Sequence, residues 1–388
     1  MNLPSHFPGF ARAHGRPGIR NRLVVLSVCG LNAPGARKVA AALTDAVLIS
    51  TPYGRGQLAD DKTFHDTMLA RFATHPNTGA AIVLAPDRDM RLSYQAQIEA
   101  AGRPVAGFSL QEAGEDSDRL VASAVEAGRD LQAALDAETR SPCAIADLVI
   151  AMECGHSDAS SGMVANPLMG DLSDALVAAG GTALFSETLE WLGTEERLAA
   201  RCVTPQVAAR LRALVEARHQ IARDAGRDVS LGNPGPQNHE GGITTLEEKS
   251  FGAIAKGGTG PIAGALAQGE AVPGPGLYLM DTPTLSPESI SSMVAGGAQL
   301  VCFTTGHGNP YGSAIAPTIK VTANPETALR LPAQIDFDAS SVFAGTATRA
   351  DLLPALCALV AEICGGRETF AERADECDEA ISRLGPSI

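Results

Sequence analysis

Short apolar runs and helical patterns alternate along the first third of the chain. The run 23–28 ends at Gly and Pro residues, and an alanine-rich helical pattern follows it at 36–45. The alternation continues, with buried strands predicted at 46–50, 80–85 and 105–109 and helices predicted at 62–74, 90–101 and 116–136. Strands that alternate with helices predict a mostly parallel sheet covered on both faces.

The pattern restarts after a polar segment at 137–142. We therefore predict an N-terminal α/β domain at 1–138 and a C-terminal α/β catalytic domain at 139–388. In the second domain, strands are predicted at 146–152, 182–186, 277–281 and 299–304, and helices at 172–179, 205–228 and 351–382. The predicted fold class is α/β, with two Rossmann-like parallel-sheet layers, the second of which has long Gly-rich loops that form the site.

Composition and charge exclude several classes of function. The chain has 44 acidic and 30 basic side chains, and its formal charge of −14 disfavours binding to nucleic acid or to an anionic membrane surface. No apolar run approaches the roughly 18 residues that a membrane span needs, and the first 22 residues lack the apolar region of a signal peptide. Eight cysteines without a Cys-x-x-Cys pair indicate reduced thiols, so we expect a cytoplasmic protein.

The first candidate segment follows the predicted strand 146–152. Glu153, Cys154, His156 and Asp158 place two carboxylates, a thiol and an imidazole within six residues, a set that can bind a metal or transfer protons. A turn with a helix cap is the alternative, and it would explain Asp158 without explaining Glu153 or His156.

The second candidate segment follows the predicted strand 182–186. Glu187 lies at the end of that strand, and a helix start with Ser186 as N-cap and Glu190 in the first turn is the alternative. Asn166 and Asp171 lie between the two segments and could line the opening of the same site.

The third candidate segment lies between Leu231 and Gly276, where the chain is rich in Gly and Pro. Lysine is scarce in this chain, and two of its five lysines, Lys249 and Lys256, lie here. Because they are seven residues apart, they would share one face if a helix continues that far. A retained lysine in an Arg-rich sequence could serve as a compact charge or as a base.

Polar residues precede Lys249 in the same segment. Thr244 or Thr245 can cap a helix with Glu248 in its first turn, an arrangement that is structural by default. The backbone amides at that helix start could alternatively hold a substrate carboxylate. Asn238 is close enough in sequence to contribute to the same site.

The fourth candidate segment follows the predicted strand 299–304. Thr304, Thr305 and His307 lie among closely spaced glycines that permit close backbone approach to a ligand, and Lys320 lies just beyond. All four segments follow strand ends, which meet at one edge of a parallel sheet, so we expect them to converge.

Several sequence motifs of nucleotide-binding and hydrolytic enzymes are missing. The chain has no phosphate-binding P-loop, no G-x-S-x-G, no H-E-x-x-H and no G-x-G-x-x-G after the first strand. Acid–base or metal-assisted chemistry on a small polar acid therefore fits the sequence better than a nucleotide-dependent reaction.

The same segments resemble the altronate dehydratase and galactarate dehydratase family, which also contains the large subunit of sulfolactate sulfo-lyase. The resemblance covers nearly the whole chain. The matching runs are Gly15-Arg16-Pro17-Gly18-Ile19-Arg20-Asn21, His75-Pro76-Asn77, Glu153-Cys154-Gly155 with Ser157-Asp158-Ala159 and Ser161-Gly162, Ala165-Asn166-Pro167, Ser186-Glu187-Thr188 with Glu190, Gly241-Gly242-Ile243-Thr244-Thr245 with Glu248-Lys249-Ser250, Lys256, and Phe303-Thr304-Thr305-Gly306 with Gly308.

The resemblance implies a metal-dependent lyase that removes water from a hydroxylated sugar acid and gives a 2-keto-3-deoxy acid. The expected cofactor is a divalent metal, with iron as the first choice, because the developing dianion needs a bound cation. The expected residues fall into three groups. They are Cys154 and Glu187 for the metal, Glu153, His156, Asp158, Lys249, Lys256 and His307 for catalysis, and Asn166, Asn238, Thr244, Thr245, Thr304, Thr305 and Lys320 for the substrate.

The sequence departs from the family pattern at several points. Tyr53-Gly54-Arg55-Gly56-Gln57 stands where relatives often have a Gly-Cys pair, and Ala85-Pro86-Asp87 stands where they often have Gly-Cys-Glu. His156 and His307 stand where Gly and Arg are expected. The chain also begins almost at once with the Gly-Arg-Pro-Gly block, so we expect a separate small subunit to supply the N-terminal module of the longer dehydratases.

Two alternatives to the hydro-lyase remain. A sulfo-lyase would expel sulfite from a sulfonated 2-hydroxy acid, with Arg55 and His307 suited to a sulfonate. A non-catalytic protein could retain the fold and only bind a sugar acid. In each case we expect a small-molecule hydroxy acid as ligand, a homo-oligomer, and no nucleic-acid or membrane partner.

Overall fold

The computed structural model of the chain describes residues 3–228, 233–385 and 387, so the part of the third candidate segment at 231–232 lies outside the described residues. The chain forms two compact units. The first unit holds residues 8–143 and the C-terminal residues from 378 onward, and the second holds residues 3–7 and 144–377.

The first unit is built on four parallel strands in the order β3-β2-β4-β5. All eight residues of the long strand β4 are buried, which is typical of a parallel strand with helices on both faces. In chain order, the segments up to the unit boundary are β1 (His6–Gly9), β2 (Arg22–Ser27), α1 (Ala33–Ala41), β3 (Val47–Ser50), α2 (Ala59–Ala73), β4 (Thr78–Ala85), α3 (Arg88–Ala100), β5 (Val105–Ser109), α4 (Ser117–Asp136) and β6 (Ser141–Ala144).

Helix α4 shows how the sequence produces this packing. Asp116 caps the helix by accepting hydrogen bonds from the backbone amides of Asp118 and Arg119, both at 3.0 Å. Leu120 and Ala124, one turn apart, then pack into the core of the unit. The helix therefore covers one face of the sheet.

The end of the chain returns to the first unit. Arg383 donates from Nε to Asp61 at 3.0 Å, and the Leu384 amide donates to the same carboxylate at 2.8 Å. The predicted helices over 351–382 are wrong beyond residue 374, where the last described helix ends, and Cys377–Asp378 form a short strand instead.

The second unit is built on a seven-stranded sheet in the order β14-β13-β11-β7-β8-β10-β9, and all neighbouring strands pair in parallel. The strands of this sheet are β7 (Val149–Cys154), β8 (Thr182–Phe185), β9 (Ile262–Leu266), β10 (Gly276–Met280), β11 (Leu300–Thr304), β13 (Thr318–Thr322) and β14 (Phe337–Asp338). Two short strands outside it, β12 (Gly312–Ser313) and β15 (Cys377–Asp378), pair with each other. Its helices are α5 (Asn166–Ala178), α6 (Glu195–Ala199), α7 (Pro205–Asp224), α8 (Pro236–Glu240), α9 (Leu246–Ile254), α10 (Ser286–Ala295), α11 (Pro325–Arg330), α12 (Ser340–Phe343), α13 (Arg349–Cys364) and α14 (Phe370–Ala374).

The strand that carries the first candidate segment differs from its prediction. Residues 145–147 form a short 3-10 turn, and β7 begins only at Val149. Glu153 and Cys154 are therefore the last two residues of a central strand rather than loop residues after it. This position fixes their backbone by hydrogen bonds to the neighbouring strand β11.

The observed architecture confirms a mixed α/β fold with parallel sheets. None of the helices among the described residues is long and apolar enough to cross a membrane.

Candidate active site

The ends of three adjacent strands bring the first, second and fourth candidate segments together. Strand β7 lies between β8 and β11, and Cys154 on β7 is directly opposite Thr304 on β11. Glu187 follows β8 on the other side. The expected convergence at the carboxyl edge of the sheet is therefore observed for these segments.

A cluster of three buried side chains lies at this edge. Cys154 Sγ lies 3.4 Å from Glu187 Oε2 and 3.2 Å from Glu190 Oε2. The sulfur and one oxygen of each carboxylate all lie within 4.8 Å of one another, so they could hold a metal ion. We call Cys154, Glu187 and Glu190 the donor triad.

Two lysines neutralise the carboxylates of the donor triad. Lys256, which is 1% exposed, forms a short ion pair with Glu187 and places Nζ 3.0 Å from Cys154 Sγ. Lys249 Nζ lies 3.2 Å from Glu190 Oε1. Helix α9 ends at Ile254 and a 3-10 turn carries Lys256, so the two lysines reach the cluster although one continuous helix does not hold them.

The backbone around Glu187 is held in an unusual conformation. Glu187 has φ of 73°, in the left-handed region, and its amide donates to Thr282 Oγ1 at 3.0 Å. The next residue, Thr188, donates from its hydroxyl to Asp281 at 2.6 Å. A 3-10 turn then carries Glu190 back toward Cys154, and Ser186 does not act as the N-cap that the alternative interpretation required.

Burial and charge shift the pKa values of the donor triad. Burial, followed by repulsion from Glu190, raises the pKa of Glu187 to about 7 against the attraction of Lys256. Burial also opposes ionisation of Glu190, but Lys249 and Lys256 outweigh it and hold the pKa of Glu190 below its usual value. Burial, reinforced by both glutamates, raises the pKa of the Cys154 thiol well above its usual value.

The two lysines are cations rather than bases. Burial opposes their charged form, but Glu190 and the rest of the cluster outweigh it and raise the pKa of Lys249. Burial is likewise outweighed at Lys256, where Cys154 and Glu187 raise the pKa well above its usual value. For this pair the raised pKa values favour the role of a compact charge over that of a base.

Glu153 lies on the opposite face of β7 and is completely buried. Its Oε2 accepts hydrogen bonds from Ser289 at 2.7 Å and Ser186 at 3.3 Å, and its Oε1 has no partner among the described residues. Burial and the Glu187 charge raise its pKa well above the usual value. Burial therefore favours the protonated form of the Glu153 carboxyl.

A cleft of about 550 Å³ opens above the donor triad. Its lining includes Cys154, His156, Glu187, Glu190 and Lys249. The cleft is large enough for a sugar acid and presents both cationic and anionic groups to it.

His156 is the exposed imidazole of this cleft. Its Nδ1 lies 2.8 Å from the carbonyl oxygen of Gly308. Because a carbonyl only accepts hydrogen bonds, Nδ1 carries the proton and Nε2 of the neutral ring keeps its lone pair. In the neutral ring, Nε2 is therefore the nitrogen that can accept a hydrogen bond.

Three predicted substrate-binding residues lie beside the donor triad or the cleft. Thr304 donates to Asn166 Oδ1 at 2.5 Å, and Asn166 donates to the carbonyl oxygen of Gly252 at 3.0 Å. Asn238 lines the cleft and donates to the carbonyl oxygen of Ser157 at 2.9 Å. These amides hold the loops around the site in place.

Asp158 uses both carboxylate oxygens for internal hydrogen bonds. Oδ1 accepts from Ser160 and Ser161, and Oδ2 accepts from Asn324 at 2.7 Å. A Cβ at Gly306 would lie 2.3 Å from the Asp158 carboxyl carbon, so only glycine fits there. Asp158 thus has the geometry of the turn and cap interpretation.

Four other predicted residues are held away from the donor triad. Thr244 and Thr245 bind Glu248 at the start of α9, and Thr305 accepts from the Gly308 amide at 3.0 Å. Lys320 donates to the carbonyl oxygen of Asn309 at 2.5 Å, and Phe303 lies beneath its Nζ.

Two further residues singled out in the sequence are His307 and Asp171. His307 is half-buried, and its Nε2 has no hydrogen-bond partner among the described residues. Asp171 pairs with Arg349 at 2.7 Å and lines a different cavity from the cleft.

Sequence reasoning missed two residues of the site. Glu190 was interpreted as a first-turn helix residue, although a second carboxylate three residues after Glu187 could have indicated a shared ligand set. Ser289 binds Glu153 from α10, and no local pattern in the sequence connects residues 136 positions apart.

The donor triad fits a divalent transition metal by its chemistry. A thiol and two carboxylates are ligands that zinc and iron accept, and all three are buried and close together. The fit is incomplete, because Lys256 already contacts the Cys154 sulfur and a Glu187 oxygen.

The fold and the site define an α/β protein with a cleft of acid–base and potential metal-binding groups at the carboxyl ends of its parallel strands. Two family models match the chain. They describe the C-terminal domain of D-galactarate/altronate dehydratase at residues 145–387 and the second domain of D-galactarate dehydratase/altronate hydrolase at residues 9–136. The chain belongs to the D-galactarate/altronate dehydratase family.

Individual relatives agree with this membership. The chain is 33% identical to (2R)-sulfolactate sulfo-lyase subunit beta of Chromohalobacter salexigens, over 97% of both chains. It is 32% identical to altronate dehydratase of Escherichia coli, over 98% of this chain and 78% of the relative. It is 34% identical to galactarate dehydratase (L-threo-forming) of Escherichia coli, over 62% of this chain and 46% of the relative.

Proposed function

We propose that the chain is a metal-dependent hydro-lyase that removes water from a hydroxylated sugar acid of the altronate or galactarate type. The observation that carries the proposal is the donor triad with its two lysines beneath the cleft. The names of the altronate and galactarate dehydratase relatives support the substrate class.

The reaction breaks two bonds of the substrate. A base removes the proton at the carbon next to the carboxylate, the hydroxyl on the following carbon leaves as water, and a double bond forms between the two carbons. The resulting enol tautomerises to the 2-keto-3-deoxy acid. Because the developing dianion is unstable in water, its stabilisation is the main catalytic requirement.

His156 and Lys249 are the proposed proton-transfer groups. His156 exposes the lone pair of Nε2 to the cleft and removes the α-proton. Lys249 is an ammonium at neutral pH, lines the same cleft and donates a proton to the departing hydroxyl. Asn238 and Thr304 orient the substrate hydroxyls directly or through the loops that they hold.

Cys154, Glu187 and Glu190 would hold the metal, for which iron is our first choice. When bound, a divalent ion would supply a Lewis acid for the carboxylate and α-hydroxyl oxygens. Glu153 is buried beside the donor triad, and burial raises its pKa, which disfavours a further negative charge there.

A sulfo-lyase is the second candidate function. It is favoured by the match to sulfolactate sulfo-lyase subunit beta, which spans 97% of both chains. The bond that breaks would then be a carbon–sulfur bond, and sulfite rather than water would leave. The same base and cation arrangement serves either leaving group.

We also propose a cellular location, an architecture and an assembly for the enzyme. We place it in the cytoplasm, which the free thiols of Cys29, Cys154 and Cys302 support. We propose Rossmann-like sheet layers, Gly-rich loops that shape the site, a homo-oligomer, and a small subunit that completes it. The small subunit is supported by the match to a relative named as a subunit beta.

Turnover on a substrate panel tests the function. The chain, purified without oxygen alone and with the small subunit, is assayed for keto acid and for sulfite on altronate, galactarate and sulfolactate. We expect keto acid from a sugar acid, and a loss of at least about 100-fold in kcat for His156→Gln, or roughly 3 kcal/mol. His6→Gln is the matched control, since His6 lies outside the cleft.

Two other results of these assays would favour a different function. Sulfite without keto acid from the sugar acids would support the sulfo-lyase. Ligand-induced thermal stabilisation without turnover, in the metal-loaded complex with the small subunit, would overturn both and support a binding protein.

A further inference from the structure

The Lys256 side chain occupies a fixed position at the donor triad. Ser173 donates from its hydroxyl to the Lys256 carbonyl at 2.8 Å, and Arg201 donates to the Gly257 carbonyl at 3.0 Å. The lysine is 1% exposed. Its ammonium is therefore directed into the cluster by a backbone that is itself hydrogen-bonded to neighbouring elements.

The atoms that Lys256 contacts are two of the three potential metal ligands. Its Nζ lies 3.0 Å from Cys154 Sγ and forms a short hydrogen bond to Glu187 Oε2. The same Glu187 oxygen is the one nearest Cys154 Sγ. An ion bound by these lone pairs would meet an ammonium that already uses them.

The charges of the cluster are balanced by the two lysines. Glu187 pairs with Lys256, and Glu190 pairs with Lys249. A divalent ion would add two positive charges to a buried cluster in which each carboxylate already has a cation. Burial makes such an excess of positive charge costly, so binding of the divalent ion favours movement of a lysine ammonium out of the cluster.

Lys249 differs from Lys256 in one respect that makes it a control. It contacts Glu190 through Oε1, whereas Oε2 is the oxygen near Cys154. Its other partner is Asn233 Oδ1 at 2.6 Å. Lys249 therefore contributes the same charge to the cluster without touching the triad atoms nearest the sulfur.

We propose that the Lys256 ammonium is a built-in competitor for the metal position of the donor triad, so that divalent-metal binding requires its withdrawal from Cys154 and Glu187. This inference rests on the proposed metal-dependent function. It adds that the chain controls its metal affinity through one lysine that lies on the triad itself.

Metal titration of three proteins tests the inference. Co²⁺ binding to the metal-free full chain is measured by calorimetry for the wild type, Lys256→Met and Lys249→Met. Both variants lose one positive charge from the cluster, so their shared electrostatic gain cancels in the comparison. We expect Lys256→Met to bind Co²⁺ at least tenfold more tightly than Lys249→Met; any smaller ratio overturns the inference.

A second substitution at the same position tests the inference in case Lys256→Met does not fold. Lys256→Gln removes the charge but keeps an amide that can donate to Glu187, and it is compared with Lys249→Gln under the same threshold. If the wild type binds Co²⁺ and the tenfold ratio is missing, the competition fails while the metal site stands. If none of the folded proteins binds Co²⁺, the metal-dependent function fails together with the inference.

Discussion

Lys320 shows how burial changes the chemistry of a single residue. Its side chain is buried above Phe303, and burial lowers its pKa to about 8 against the attraction of Asp336. The unfolded chain keeps an ordinary lysine pKa near 10.4. Between these two values the unfolded state binds more protons than the folded state, so the stability contributed at this position rises with pH.

We predict that Lys320→Met removes this pH dependence. The difference in unfolding free energy between wild type and variant should rise in favour of the wild type by about 2 kcal/mol from pH 7 to pH 10. Urea unfolding of both proteins across this range measures it. Other groups titrate equally in both proteins, so a difference that stays flat would show that Lys320 is not desolvated.

The residues of the site differ in how far the sequence predicts them. The sequence predicts Glu153 as a site residue because a turn or helix cap at the end of a buried strand does not require it, whereas Glu187 has a helix start as its alternative. Glu190 was missed because helix-start chemistry explained it equally well. The sequence leaves open whether Lys256 is a charge or a base, because its pKa reflects burial outweighed by Cys154 and Glu187, which are distant in the sequence.

At the scale of the element, helix α9 connects stability with the site. Thr245 and Glu248 form a reciprocal capping box at its start, and Lys249 follows on the first turn. Loss of such a cap costs about 1 kcal/mol. Because α9 carries Lys249 to Glu190, a frayed start should also disturb the cluster.

We predict that Thr245→Ala loses about 1 kcal/mol of stability and about fivefold in kcat/KM. Thr348→Ala removes an equivalent exposed capping box from α13 and should lose similar stability with unchanged kcat/KM. Thr245→Asp keeps a capping oxygen and should restore both quantities. Thermal unfolding and keto-acid kinetics measure them, and equal kinetics for the two alanine variants would contradict the role of α9.

Some elements could be predicted from the sequence and others could not. The predicted strand 105–109 coincides with β5, because a short apolar run between turns has one interpretation. Strand β9 was missed inside a Gly-rich segment, and β13 was missed because its threonines and lysine resemble a polar loop. Both strands are defined by pairing with a sheet assembled from distant parts of the chain.

At the scale of the whole molecule, the chain forms two units, each with its own parallel sheet. The division between 138 and 139 stays a prediction. The donor triad and the cleft lie within the second unit. The net charge of −14 makes the whole chain repel an anionic substrate, so local cations such as Lys249 must supply the attraction at the site.

In the function that we propose, Cys154, Glu187 and Glu190 hold a catalytic metal. A Co²⁺ titration of the metal-free wild type, followed by near-ultraviolet absorption, tests it directly, since a cobalt–thiolate bond produces a charge-transfer band. We predict one equivalent of Co²⁺ and a thiolate band that Cys154→Ser abolishes and Cys202→Ser leaves intact. A band that survives in Cys154→Ser, or a wild type that binds Co²⁺ without any thiolate band, would contradict the account.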